Sequence, residues 1–133
     1  MRRFSTKAVV VLLILSILVI PSMAALMWNV TFNVTTSHGY NDSTHEAAVY
    51  VSITPYYSNT IYNINVYLER YSGSTWVPVA SWTGLSSSTN DFSFYDTTSN
   101  VKKYLTYRVH VTGTVSSNGI TDNLNVIGTT QVY

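Results

Sequence analysis

The sequence predicts an all-β domain, built as a single antiparallel two-sheet β-sandwich of about seven strands. From residue 27 onward, apolar and polar side chains alternate with a period of two, as in a strand with one buried face. Turn-forming clusters of Gly, Asn, Asp and Ser interrupt the alternation at intervals of about 8 to 12 residues, which is typical of sandwich strands. No helical period appears after residue 24. A closed barrel of similar strand count is the alternative architecture.

The first 24 residues have the three regions of a cleavable secretory signal peptide. A basic start precedes an uncharged apolar run at 8–20, and Ser22-Met23-Ala24 gives the small-x-small pattern that signal peptidase recognises. A retained membrane anchor is the alternative, but this run spans only about 20 Å as a helix against a hydrocarbon core of about 30 Å. We therefore expect a signal peptide at 1–24 and a domain at 25–133. The product is expected to be secreted through the general secretory pathway, with no stable membrane span after cleavage.

Four segments in the first half of the domain carry the strand alternation: 27–36, 49–53, 62–69 and 76–82. Residues 38–45 (HGYNDSTH) are rich in turn formers and predict a loop. Pro55 ends the second strand because proline has no N–H to donate. Ser72-Gly73-Ser74 predicts a hairpin turn between the third and fourth strands.

Three further strands are predicted around Phe92 and Phe94, over 105–115, and from Ile120 toward the last residues. Asn118-Gly119 separates the last two, and both residues accept the positive φ that a type I′ hairpin turn requires. The side chains expected in the core are Trp28, Phe32, Val51, Ile64, Val66, Leu68, Phe92, Phe94, Tyr107, Val109 and Val111.

Residues 61–122 also carry packing motifs that follow one another in a fixed order. The motifs are Leu68-Glu69-Arg70-Tyr71, a glycine turn, the run Trp76–Trp82, Val101, Tyr104, Tyr107-Arg108-Val109 and Asn118-Gly119. In these motifs the chain resembles an uncharacterised family of small, exported, cysteine-free β-sandwich proteins of Gram-positive bacteria, with an immunoglobulin or fibronectin type III-like fold. The resemblance implies the fold and the export, and it implies no chemistry.

One spacing resembles the tyrosine corner of fibronectin type III domains, in which a phenol hydroxyl bonds to backbone at the sheet edge. Val101 lies six residues before Tyr107, as in that motif. The chain departs from the fibronectin pattern at the early-strand tryptophan, for which Trp28, Trp76 and Trp82 are the only candidates.

Composition excludes several classes of function. After removal of residues 1–24, four basic residues remain against six acidic ones, a net charge of −2, so no basic patch for nucleic acid is expected. The absence of cysteine excludes a thiol nucleophile and disulfides. No Gly-x-Ser-x-Gly elbow occurs. We therefore predict no catalytic residues, no enzyme activity and no cofactor.

The densest set of metal-ligand side chains is His38, Asp42, His45 and Glu46. Imidazole and carboxylate groups at close spacing can bind Zn²⁺ or Ca²⁺. Their spacing matches no established metal motif, and loops collect such residues for turn formation alone. A solvated loop is therefore the preferred interpretation.

The more plausible site is the outward face of the third predicted strand. Its alternate residues are Asn63, Asn65, Tyr67, Glu69 and Tyr71, and Arg108 and His110 lie beside them if this strand pairs with the sixth. Aromatic rings beside amides and a guanidinium suit sugar rings or a protein surface. The competing interpretation is an ordinary solvent face, since tyrosine also favours cross-strand packing.

Three classes of function follow, in order of preference. The first is a non-catalytic domain at or outside the cell surface that serves in adhesion, in a matrix, or in binding an extracellular glycan or protein. The second is a small secreted antagonistic factor of bacteriocin or toxin type, and the third is an enzyme. Self-association through edge strands is a further expectation, because the terminal segments 27–36 and 129–133 carry no Lys or Pro to protect an edge.

Overall fold

The computed structural model describes residues 28–133, so the predicted signal peptide and its cleavage after Ala24 lie outside the described residues. No helix within this range has the length and hydropathy to cross a membrane. The described chain forms β1 (Thr31–Asn41), β2 (Glu46–Pro55), β3 (Ile61–Ser72), β4 (Thr75–Leu85), β5 (Phe92–Thr98), β6 (Thr106–Ser117), β7 (Ile120–Ile127) and β8 (Gln131–Val132).

The strands form two antiparallel sheets, which confirms the predicted β-sandwich. The smaller sheet has the order β1-β2-β5, and the larger has the order β4-β3-β6-β7. The short β8 pairs with Thr106 and Tyr107 at the start of β6, whereas β7 pairs with β6 from His110 onward. The two hairpin turns lie where Ser72-Gly73-Ser74 and Asn118-Gly119 predicted them, and Gly73, Asn118 and Gly119 have positive φ. This arrangement is immunoglobulin or fibronectin type III-like.

The core lies between the two sheets and contains most of the residues that the alternation predicted. Trp28 and Phe94 are only partly buried and pack against its margin. Phe32 is the exception, because 62% of its surface is exposed. The predicted core residues that are buried are Val51, Ile64, Val66, Leu68, Phe92, Tyr107, Val109 and Val111.

A β-bulge explains why the prediction for Phe32 was wrong. Thr31 lies opposite Pro55 and Asn33 lies opposite Thr54, so Phe32 is an extra residue on β1. A bulge interrupts the period of two, and Thr31 takes the buried position instead. The ring of Phe32 packs on the outside against the ring of Tyr56, with centroids 5.3 Å apart.

The loop predicted at 38–45 is shorter than expected, because β1 continues to Asn41 and β2 begins at Glu46. His38, for example, pairs with Val49 across the hairpin. The turn formers act only at the tip: the Asn41 side chain accepts a hydrogen bond from the Ser43 N–H at 2.8 Å, and His45 has a φ of 58°.

The tyrosine corner is present. Tyr107 is fully buried near the start of β6, and its hydroxyl accepts a hydrogen bond from the Lys102 N–H at 2.8 Å. The preceding connection is therefore fixed to the edge of the larger sheet, as the spacing from Val101 predicted.

Side chains bridge the two sheets along one lateral side of the sandwich, where β1 lies alongside β7 and β8. The buried carboxylate of Asp122 accepts hydrogen bonds from the N–H groups of Asn29, Val30 and Thr31 at 2.9, 2.7 and 2.7 Å. Further along, Nε2 of His38 lies 2.9 Å from the Thr129 carbonyl oxygen. β1 and the residues that lead into it are therefore joined by polar contacts to β7 and to the connection between β7 and β8.

The opposite lateral side, between β4 and β5, is bridged in the same way. Nε1 of Trp82 donates to the Asp96 carboxylate at 2.8 Å, and Nδ2 of Asn100 donates to the Val79 carbonyl at 2.6 Å. Each open side of the sandwich thus carries specific cross-sheet contacts. Self-association through edge strands stays a prediction.

Candidate ligand-binding face

The outer face of the larger sheet holds the residues that the sequence singled out for binding. β3 pairs with β6 as that prediction required, with Tyr67 opposite His110 and Glu69 opposite Arg108. The alternate residues Leu68 and Val109 are fully buried in the core. The side chains between them in sequence therefore lie on the side away from the core.

Glu69 is the central charged group of this face, and it is only 7% exposed. Nε of Arg108 donates to its Oε1 at 2.8 Å, and Nδ1 of His110 lies 3.3 Å from its Oε2. Nε2 of His110 in turn lies 2.7 Å from Oδ1 of Asn125 on β7. A carboxylate this buried requires charged and hydrogen-bonded partners, so these contacts form one connected network across β3, β6 and β7.

Arg108 is fixed from a second direction by an aromatic ring. Its guanidinium carbon lies 4.2 Å from the centroid of the Trp76 ring, within the range of a cation–π interaction. The Trp76 ring also lies 5.1 Å from the ring of Tyr71, which is 46% exposed. A cation held between a carboxylate and an indole loses little conformational entropy when a ligand binds.

The predicted binding residues divide into a cluster and an adjoining pair. Tyr67, whose ring lies 6.0 Å from that of His110, joins Tyr71, Arg108 and His110 around Glu69. Asn65 has a structural role, because its Oδ1 accepts from the Gly84 N–H at 3.0 Å. Asn63 lies on the same exposed side of β3, opposite Thr114.

Sequence reasoning missed two members of this cluster, Trp76 and Asn125. A signal for Trp76 was available, because the turn at Ser72-Gly73-Ser74 brings Tyr71 and Trp76 opposite each other. Asn125 lies on β7, opposite Thr112 of β6. Its side chain nevertheless reaches diagonally to His110 of β6. Strand alternation alone does not reveal that diagonal contact.

The four metal candidates do not converge, and the described part of the chain contains no group of three acidic or histidine side chains placed to hold an ion. His38 is buried, with Nδ1 2.6 Å from the Tyr133 hydroxyl. Asp42 forms an ion pair with Lys103 at the surface. Nδ1 of His45 lies 3.1 Å from the Tyr40 hydroxyl. Glu46 begins β2, opposite Asn41.

His38 is separated from the other candidates because it lies within β1 and its ring packs against the C-terminal segment. Burial lowers the pKa of His38, although its hydrogen bond with the Thr129 carbonyl acts in the opposite direction. Burial also raises the pKa of Tyr133, whose ring stacks on Tyr107 with centroids 4.4 Å apart. His38 thus serves as a hydrogen-bonding partner inside the fold.

A cleft of about 430 Å³ lies beside this segment, lined by Tyr40, Asp42, Lys103, Tyr104 and Tyr133 among others. Its two charged side chains pair with each other, so the cleft offers little net charge to a ligand. The outer face of the larger sheet is therefore the better candidate site.

Comparisons with protein-family models, with curated proteins and with solved structures found no match to this chain. The fold and the site thus define a class only, that of a β-sandwich domain with an aromatic and cationic face on its larger sheet.

Proposed function

We propose that this chain is an exported, non-catalytic β-sandwich domain that acts at or outside the cell surface and binds a glycan on the outer face of its larger sheet. The observation that carries the proposal is the position of Arg108, held between the buried Glu69 carboxylate and the Trp76 ring, with Tyr71 alongside. Sugar rings present apolar faces that pack on aromatic rings, and their hydroxyl groups pair with guanidinium and amide groups.

The shape of the face supports binding in preference to hydrolysis. Glycoside hydrolysis ordinarily uses two carboxyl groups that flank the scissile bond. In the cluster described above, Glu69 is the single carboxylate, and it is already paired with Arg108 and His110. The side chains of the site also lie side by side across β4, β3, β6 and β7, an arrangement that suits an extended polymer.

Export is the first part of the proposal to test. The basic start, the apolar run at 8–20 and the resemblance to exported sandwich proteins support it. We expect intact-mass analysis of culture supernatant to find a chain that starts at Ala25. Recovery of only a full-length product in the membrane fraction would contradict the proposal.

Ligand binding is tested with the aromatic pair of the face. We expect the exported protein to bind at least one member of a panel of purified bacterial cell-wall polysaccharides in calorimetry. Trp76→Ala should weaken that binding at least about tenfold, because it removes a stacking surface and frees Arg108. Tyr71→Ala should have a smaller effect of the same sign, since the cation–π contact with Arg108 is made by Trp76.

The matched control is Tyr95→Ala, because Tyr95 is an exposed aromatic residue on β5 of the smaller sheet. We expect it to leave the affinity unchanged. Equal losses in Trp76→Ala and Tyr95→Ala would show that the ligand does not use this face. Failure of the wild-type protein to bind any polysaccharide would contradict the glycan proposal.

A further inference from the structure

Five large apolar side chains are exposed at the end of the sandwich where β2 leads into β3 and β6 leads into β7. Each has at least 46% of its surface exposed. We call this set the apical patch, and its members are Phe32, Tyr56, Tyr57, Ile61 and Ile120.

Contacts and strand register place the apical patch at one end of the molecule. The Tyr56 ring lies 5.3 Å from that of Phe32 and 6.4 Å from that of Tyr57. Ile61 pairs with Ser116, and Ile120 pairs with Ser117. Oγ of Ser117 donates to the Ser58 carbonyl at 3.4 Å, which joins the β6–β7 turn to the loop that holds the tyrosines.

This end carries almost no charge. The segments 28–32, 56–61 and 117–121 contain no Asp, Glu, Lys, Arg or His. Asp122 follows the last of them but is buried on the backbone of β1, and Asp91 is the one acid of the neighbouring loop at 86–91. The Lys and Arg residues of the described chain lie toward the opposite end of the sandwich, at Arg70, Lys102, Lys103 and Arg108.

The chain also enters the described fold at this end. Asn29, Val30 and Thr31 are fixed there by Asp122, and the Tyr56 N–H donates to the Val30 carbonyl at 2.8 Å. The sequence that precedes them includes the apolar run at 8–20, only a few residues away. If residues 1–24 act as the predicted signal peptide, the membrane that receives this run is on the side of the apical patch until cleavage.

From these observations we infer that the apical patch docks peripherally on a lipid bilayer. Tyrosine and phenylalanine rings favour the interface between headgroups and acyl chains, and isoleucine favours the acyl side. Because cations are absent from the patch, the contact depends on buried apolar area and needs no anionic lipid. The strands then run away from the bilayer, so the outer face of the larger sheet stays accessible. The inference rests on the export part of the proposed function and not on glycan binding.

Sedimentation of the exported protein with large unilamellar vesicles tests the inference. We expect the wild-type protein to co-sediment with vesicles of pure phosphatidylcholine. The bound fraction should increase little when one third of the phosphatidylcholine is replaced by phosphatidylglycerol. The double variant Phe32→Ser/Tyr56→Ser should lower the vesicle partition coefficient at least about tenfold, because two exposed rings are lost. Its thermal unfolding should stay close to that of the wild type, since both side chains are outside the core.

The control is Tyr95→Ser/Tyr104→Ser, which removes two exposed rings that lie away from the patch and should leave partitioning unchanged. The inference is overturned if the wild-type protein stays in the supernatant, if the control loses binding equally, or if binding requires phosphatidylglycerol. It is also overturned if light scattering shows a dimer that the apical variant dissociates, because the patch then contacts a second copy of the chain.

Discussion

Replacing Gly113 with alanine is expected to lower the free energy of unfolding by about 3 kcal/mol or more. Gly113 has a φ of 132°, a conformation that residues with a Cβ rarely adopt, in the middle of β6. An added Cβ would lie 2.1 Å from the Asn63 carbonyl oxygen and 2.9 Å from Cα of Ile64. Both atoms belong to the β3 backbone, so relief requires β3 and β6 to separate. Urea unfolding followed by tryptophan fluorescence measures the change.

Gly39→Ala is the matched control for this prediction. Gly39 also lies within a strand, but its φ is not positive and an added Cβ would have nothing within 4 Å. We expect a change within about 0.5 kcal/mol, as for an ordinary surface substitution. Equal free energies of unfolding for the two variants would show that the close approach of β6 to β3 does not limit the residue at position 113.

Replacing Asp122 with alanine is expected to cost about 3 kcal/mol, because three N–H groups, two of them buried, lose a charged acceptor. Asp122 is 4% exposed, and its oxygens accept from three consecutive residues that lead into β1. We expect the loss in urea unfolding, together with faster amide hydrogen exchange at Asn29, Val30 and Thr31. An exchange pattern unchanged in this segment would contradict the role given to the carboxylate.

The same group predicts a pH dependence of stability. Burial raises the pKa of Asp122, but the backbone hydrogen bonds lower it by more, so it lies below the ordinary value of 3.8. A carboxyl group with a depressed folded-state pKa stabilises the fold fully above its unfolded-state pKa. That stability is lost as the pH falls through the folded-state value. Acid unfolding of the wild-type protein should therefore be steeper below about pH 4 than that of Asp122→Asn.

Asp42→Asn serves as the control, since Asp42 is an exposed carboxylate in a surface ion pair and should contribute little. Acid-unfolding curves that coincide for the wild-type protein and Asp122→Asn would contradict the prediction.

Local patterns were sufficient to predict most of the fold. Alternation identified the buried residues of β2, β3 and β6, because a regular strand directs every second side chain to the same face. The turns at Ser72-Gly73-Ser74 and Asn118-Gly119 could be predicted because a turn of this kind needs residues that tolerate positive φ. That tolerance is a property of the individual residue type. The tyrosine corner was predicted from a short spacing, since Tyr107 contacts the backbone only five residues away.

The parts of the fold and of the candidate site that could not be predicted depend on contacts between residues far apart in sequence. Asp122 lies 91 to 93 residues from the N–H groups it binds, and Glu69 lies 39 residues from Arg108. The alternation of apolar and polar residues does not reveal such distant partners, so the burial of both carboxylates could not be predicted. The bulge at Phe32 is similar, because it depends on the register of β1 against β2. The sequence predicted the pairing of β3 with β6 that brings Arg108 and His110 beside β3, but it did not predict the network that fixes Arg108.

The hydrogen bonds of Asp122 also determine how the domain responds to mechanical tension. A pulling force on the chain at Trp28 enters the fold through residues 29–31, which Asp122 binds from the other sheet. The load is therefore divided between β2, which pairs with β1 along its length, and β7, through one carboxylate. Extending the chain under force requires the rupture of three charged hydrogen bonds before β1 can leave β2. A domain held at this end thus resists stretching with contacts from both sheets.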